Sequence, residues 1–250
     1  MQHYFLDQAL KTGESVTLPS NIGHHLGKVL RAEVGDHFEL VAPDHQVFEA
    51  QVSALDGNIV KAKILTPTNK DVELPVNVTI VSGLSKGNKP EWIVQKATEL
   101  GVAHIIFMPM NWSVVKWNQK AAKKIARLNE VALSAAEQSH RNIVPTVEYL
   151  DGLKALTQLD FDTKLVAYEE SAKQGEEANL VKAVKQTAKG GSIVAVFGPE
   201  GGVSESEIED LKAHGFILAG LGPRIMRTET APLYFLSAIS VLTELSAFAE

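Results

Sequence analysis

The alternation of apolar and polar positions changes rhythm near residue 70. Before that point a period of two dominates. "VFEAQVSAL" (Val47–Leu55) nearly alternates, and "NIVKAKIL" (Asn58–Leu65) alternates with Lys61 and Lys63 on the polar side, so both read as strands. Asp56-Gly57 between them is a hairpin-turn pair, and "HFELVA" follows the turn pair Gly35-Asp36 as a further strand. Ser20 offers an N-cap for one short helix through "NIGHHLGKVL". Strands this short close as a small barrel or compact sheet. Thr66–Val76, with Pro67 and Pro75 among mixed polar residues, reads as a linker.

Beyond the linker, short apolar runs alternate with helical periodicity. "VNVTIVSGL", "AHIIFMP", "KLVAYE", "SIVAVF" and "GFILAGL" read as buried strands. Between them lie "KPEWIVQKATELG", which Gly101 stops, and a long helix from about Gln119 to Ser139. A helix near Ala178–Thr187 follows, then "VSESEIEDLKAHG" with a capping box at Ser204 and Glu207, and a final helix over Ala231–Phe248. This order predicts an α/β protein with a mostly parallel sheet covered by helices, preceded by a smaller β module.

Composition narrows the chemistry. With no cysteine, disulfides, thiolate metal sites and a cysteine nucleophile are excluded. The opening "MQHYFLDQAL" lacks the basic and apolar regions of a signal peptide, and "VAHIIFMPM" is too short to span a bilayer; the expectation is a cytoplasmic protein with no membrane association. The net charge of −6 conceals a split, because Ser82–Pro145 carries nine lysines and arginines against four glutamates. A basic centre in an acidic chain suits a localised polyanion-binding face, although Lys120, Lys123 and Lys124 could equally solvate a helix. His24-His25 suggests no metal site, since no third ligand has matching spacing.

Ligands of open α/β sheets bind beyond the carboxyl ends of the strands. Three such ends carry unusual sequence here: "AYEES" (Ala167–Ser171), "FGPEGG" (Phe197–Gly202) and "GLGPRIMRTETAP" (Gly220–Pro232). Glycines let the backbone approach a ligand and prolines stiffen the bend, so the three loops could wrap a flat, adenosine-sized molecule. No phosphate-loop string is present, and Glu200, Glu205 and Glu207 would repel phosphate, so a ligand neutral or cationic at its core is expected.

"FGPEGGVSESEI" followed by "LGPRIMRTETAP" resembles the signature of SPOUT-class RNA methyltransferases, and in particular the family that methylates N3 of a uridine in 16S ribosomal RNA. "SKGNKPEWIVQKATELGV", "EQSHRNIVP" and "HLGKVLRAEVGD" extend the resemblance over nearly the whole chain. It implies a PUA-like RNA-binding β-barrel over residues 1–70 and a SPOUT domain with a trefoil knot over 74–250, acting on the small ribosomal subunit as a homodimer. It implies S-adenosylmethionine as cofactor, held by Tyr168, Glu169, Phe197, Gly198, Pro199, Glu200, Gly201, Gly202, Leu221, Gly222, Ile225, Met226 and Arg227. Two positions depart from the family pattern: Trp112, where arginine is usual, and Met226, where leucine is usual. Trp112 removes one expected RNA-facing charge.

The acceptor sets a further requirement. N3 of uridine is a poor nucleophile until its proton leaves, so a base or an anion stabiliser is needed. Arg227 is the choice for stabilising the anion, with Glu229 or Glu200 as the base. Arg227 could alternatively hold its loop through a salt bridge to either carboxylate. Arg31 and Arg141, with Lys86, Lys89 and Lys96, are the expected RNA contacts. The rival readings are a ribose 2′-O-methyltransferase of the same fold and an RNA-binding assembly factor without catalysis.

Overall fold

The computed structural model describes residues 1–168 and 179–245. Among them no helix is long and apolar enough to cross a membrane. Two compact units emerge, one of residues 1–73 with 137–143 and one of 74–136 with 144–250.

The first unit is a five-stranded sheet ordered β1-β3-β4-β5-β2. Its strands are β1 (Gln2–Phe5), β2 (Ser15–Thr17), β3 (His37–Val41), β4 (Val47–Asp56) and β5 (Ile59–Thr68). β1 runs parallel to β3 and the other neighbours are antiparallel. β5 alternates as expected, burying Val60, Ala62 and Ile64 and exposing Lys61 and Lys63. β4 alternates less well because its register slips at Glu49/Ala50 and Val52/Ala54, the mark of bulges. The hairpin turns one residue later than the sequence suggests: Asp56 faces Ile59, and Gly57 takes a left-handed φ of 61°.

Ser20 is the first residue of α1 (Ser20–His24) and not its cap; Pro19 holds that position, with no side-chain cap. The helix continues as a π-turn (His25–Val29) pressed on the hairpin, where a Cβ on Gly23 would lie 2.3 Å from the Asn58 carbonyl oxygen. Thr66–Val76 is a linker only in part. Thr66–Thr68 extend β5, and the Glu73 carboxylate accepts from the Arg141 guanidinium and from the N–H groups of Asn142 (2.9 Å) and Ile143 (3.1 Å).

The second unit is a six-stranded, wholly parallel sheet ordered β11-β9-β10-β6-β7-β8. In chain order it runs β6 (Asn77–Gly83), α2 (Lys89–Glu99), β7 (His104–Met108), α3 (Ala121–Gln138), β8 (Thr146–Tyr149), α4 (Leu153–Leu156) and β9 (Thr163–Ala167). It continues with α5 (Asn179–Gln186), β10 (Ser192–Phe197), α6 (Glu205–Ala213), β11 (Ile217–Ala219) and α7 (Ala231–Ser240), which runs into a π-turn (Val241–Leu245). Alternate strand residues feed two cores. Ile80, Ile105, Phe107, Ile193 and Phe197 pack with Ile93 of α2, Leu128 of α3, Leu180 of α5 and Phe235 of α7. Val81, Ile106, Met108, Val194 and Val196 pack with Leu156 of α4 and Ile208 and Leu211 of α6. Burial on both faces explains why these strands read as continuous apolar runs. The order sets the carboxyl ends of β11, β9, β10 and β6 side by side.

Candidate active site

Among the described residues, the loops after β10 and β11 converge with the end of β9. Ala167, the last residue of β9, with Tyr168; Phe197, the last residue of β10, with Gly198–Val203; and Leu221, Gly222 and Arg224–Thr228 beyond β11 together line an open cleft of about 790 Å³. Glycine makes the packing possible. A Cβ on Gly198 would sit 2.6 Å from the carbonyl carbon of Gly202, and one on Gly83, at the end of β6, 2.5 Å from Pro199 Cδ. Gly202 adopts φ 82° and its N–H closes a turn onto the Pro199 carbonyl at 2.9 Å. The β10 and β11 loops are tied together where Thr228 Oγ1 donates to the Gly198 carbonyl at 2.6 Å.

The capping box opening α6 is present, and it does more than cap. Glu207 accepts from the Ser204 N–H (2.9 Å) and also from the Asn111 N–H (2.8 Å), while Asn111 Nδ2 donates to Ser204 Oγ (2.8 Å). Those bonds anchor the loop after β7, which carries Trp112 to the rim of the cleft. There Trp112 is 49% exposed, with its Cβ 2.7 Å from where a Cβ of Gly201 would be.

Electrostatically the cleft differs from the acidic site that the loop sequences suggest. Lys89, expected to face RNA, enters it from the start of α2, with Nζ 2.9 Å from Glu200 Oε1 and 3.4 Å from Glu229 Oε2. Burial acts to raise the Glu200 carboxyl, but the Lys89 ammonium and the Lys86 N–H, 3.1 Å away, hold it below its ordinary value. Its hydrogen bond to Glu200 holds the Lys89 ammonium above its ordinary value, against the effect of burial. Lys89, Arg224 and Arg227 thus stand among Glu200 and Glu205 on the lining. Arg224 and Arg227 already balance the two glutamates, and Lys89, 111 positions from Glu200 in sequence, tips the lining to one net positive charge.

Both carboxylates being engaged by Lys89, Arg227 forms no ion pair with any described residue and projects, exposed, from the cleft wall. The loop-holding salt bridge considered for it is not formed. Glu229 Oε2 is buried without a hydrogen bond; the 3.4 Å approach of Lys89 is an ion-pair distance only. Glu169 lies outside the described residues.

The expected RNA contacts scatter. Arg31 and Lys86 are exposed, Arg31 with φ 56°. Lys96 is bound to Glu99 at 2.8 Å and lies over the Trp92 ring. Arg141 does not suit a phosphate contact: it is 4% exposed, and its guanidinium is committed to Glu73. The placements of Lys89 and Trp112 in the cleft had no local signal, because elements distant in sequence carry them there.

Comparison with known proteins agrees with this geometry. A family model described as an RNA methyltransferase domain matches residues 72–240, and one described as an RNA methyltransferase PUA domain matches residues 18–65. The class so defined is a two-module RNA methyltransferase, with a PUA-like β domain preceding a SPOUT-type α/β domain. Ribosomal RNA small subunit methyltransferase E of Bacillus subtilis is 43% identical over 98% of both chains. A crystal structure of the enzyme of that name from Neisseria gonorrhoeae, bound to S-adenosyl methionine, superposes with a TM-score of 0.85 at 34% identity, covering 97% of this chain and 98% of that one. A methyltransferase from Legionella pneumophila in complex with the same cofactor gives 0.82 at 28% identity, with 96% of each chain covered. The chain belongs to the family of ribosomal RNA small subunit methyltransferases E.

Proposed function

We propose that the chain transfers a methyl group from S-adenosylmethionine to N3 of a uridine in small-subunit (16S) ribosomal RNA. The cleft suits that cofactor on its own terms. Glycine backbone at 198, 201, 202 and 222 can approach a ligand closely, while Leu221, Ile225 and Met226 offer apolar surface for a flat ring. When bound, the cofactor supplies an electrophilic methyl on a sulfonium. The chain's own part is to position the uridine and manage its proton. Arg227, a planar donor fork with no competing partner among the described residues, holds the charge that spreads over the carbonyl oxygens beside N3. Glu229 suits the base better than Glu200, because the hydrogen bonds from Lys89 and the Lys86 N–H lower the affinity of the Glu200 carboxylate for a proton. As N3 gains the methyl, its proton passes to Glu229.

The uncommitted guanidinium in a glycine-lined cleft carries this reading. Arg31 and Lys86 are the proposed RNA contacts, within an RNA-binding module over 1–70 and a methyltransferase domain over 74–250. The trefoil knot is part of the same reading: the chain leaving edge strand β11 passes the 198–202 loop to pack α7 on α2 and β6, the crossing such a knot needs. A homodimer in the cytoplasm is also proposed, since Tyr234, Val241 and Leu245 leave apolar surface exposed along the last helix and its π-turn. The test is mass spectrometry of nucleosides from small-subunit particles incubated with the chain and S-adenosylmethionine. N3-methyluridine is expected; a ribose-methylated product, or cofactor binding without any methylation, overturns the proposal.

A further inference from the structure

The first unit holds a second constellation that methyl transfer does not use. His3 on β1 and Glu39 on β3 are register partners in parallel neighbouring strands, so their side chains stand together on one sheet face. His140 reaches the same point from the turn after α3, in a left-handed conformation with φ 56°. His3 Nδ1 lies 3.0 Å and His140 Nδ1 2.9 Å from a single oxygen, Glu39 Oε2, and the three donor atoms lie within 4.8 Å of one another. His3 and Glu39 are 3% and 2% exposed, whereas the His140 side chain is 43% exposed and leaves a way in.

The hydrogen-bond partners decide which atoms face inward. His3 Nε2 is 2.8 Å from the Arg141 carbonyl oxygen, which can only accept, so Nε2 carries the ring hydrogen. In the neutral imidazole, Nδ1 then presents its lone pair to a carboxylate oxygen. A lone pair facing a carboxylate oxygen at 3.0 Å needs positive charge between them, which either a ring proton or a metal ion supplies. A backbone carbonyl fixing the far nitrogen is also the arrangement that orients metal-bound imidazoles. Lys70, 65% exposed, touches the other carboxylate oxygen at 3.3 Å and leaves Oε2 to the two rings.

We infer that His3, Glu39 and His140 form a binding site for a divalent cation of the zinc class, which staples strand β1 and the 137–143 segment to β3. Two imidazoles and one carboxylate are a donor set such ions favour, with the fourth position left to water. Tetrahedral coordination places ligand atoms about 3.3 Å apart, so each ring would retreat from Glu39 by a few tenths of an ångström and the two Nδ1 atoms, within 4.8 Å of each other, would adjust to the same spacing. No short motif announces the site. Its three ligands are 36 and 101 residues apart in sequence, and only the sheet register and the turn after α3 unite them.

The test uses the full-length chain, stripped with a chelator and titrated with zinc chloride in a calorimeter, and with cobalt(II) followed by visible absorption. One equivalent of zinc should bind, the thermal midpoint should rise with zinc, and cobalt should give the intense bands of a four-coordinate site. His140→Ala, at a half-exposed position that leaves the core intact, should weaken zinc at least about tenfold and abolish those bands, and Glu39→Gln should do the same. Absence of zinc binding, or binding unchanged in a folded His140→Ala chain, overturns the proposal. In that case protons on the two imidazoles bridge to Glu39.

Discussion

At the scale of single residues, the cleft turns on how Lys89, Arg227 and two carboxylates share charge. Lys89 hydrogen-bonds Glu200 and lies within ion-pair distance of Glu229, while Arg227 pairs with neither carboxylate and faces the cleft. If Arg227 holds the uridine anion, its contact is stronger in the transition state than with neutral uridine. Arg227→Ala should therefore lower the single-turnover rate on the order of 10²–10³-fold and leave cofactor affinity nearly unchanged in calorimetry. Lys should rescue little, since a point charge cannot replace a fork. Lys89→Met makes a pH prediction. Glu200 titrates below its ordinary value of 4.5, so its ion pair contributes stability above that value and loses it as the pH falls through the folded value. The wild type should thus exceed Lys89→Met in thermal midpoint at neutral pH, with the gap closing as the pH falls below the ordinary carboxyl value of 4.5.

At the scale of elements, helix α6 and the loop after β7 are one unit, joined through Glu207. Its carboxylate closes the capping box and holds the Asn111 N–H, so it is buried and fully used. Glu207→Ala should cost about 1–2 kcal/mol in chemical denaturation, the range for losing a helix cap. It should also weaken cofactor binding, because the loop carrying Trp112 is released against Gly201. A variant with unchanged stability and affinity would show that Ser204 alone secures the helix. The capping box could be read from Ser204 and Glu207, three positions apart. The tie to Asn111 could not, because the two residues lie 96 positions apart and meet only when β7 and α6 are packed.

At the scale of the whole molecule, the basic segment 82–145 divides into surface and structure. Lys86, exposed, should behave as a phosphate contact: Lys86→Ala should flatten the salt dependence of RNA binding by roughly 0.7–0.9 of a unit of slope. Arg141→Ala should leave that slope alone and instead destabilise the fold by about 1.5–3 kcal/mol, since the part-buried Glu73 loses its guanidinium and keeps the Asn142 and Ile143 N–H groups. Binding isotherms at several salt concentrations separate the two. The proposed dimer is checked by sedimentation. The wild type should run as a dimer at micromolar concentration, and Val241→Glu should shift it toward monomer by placing a charge on exposed apolar surface.

Local and periodic information sufficed for much of this architecture. Most parallel strands of the second unit, the Ser204–Glu207 capping box, the glycine stops and the bends after β10 and β11 follow from apolar runs and motif strings, because each is a property of adjacent residues. The four-residue β1 and β8, the three-residue β2 and the one-turn helix α4 escaped, each being too short for a period to show. What only the tertiary structure decided are the pairings of charge. Lys89 sits with Glu200 and Glu229, Arg141 lies under Glu73, and Glu39 faces His3 and His140. A lysine or arginine looks the same in sequence whether it meets solvent, phosphate or a buried carboxylate. Strand order and register bring the partner, and with it the charge that the site presents.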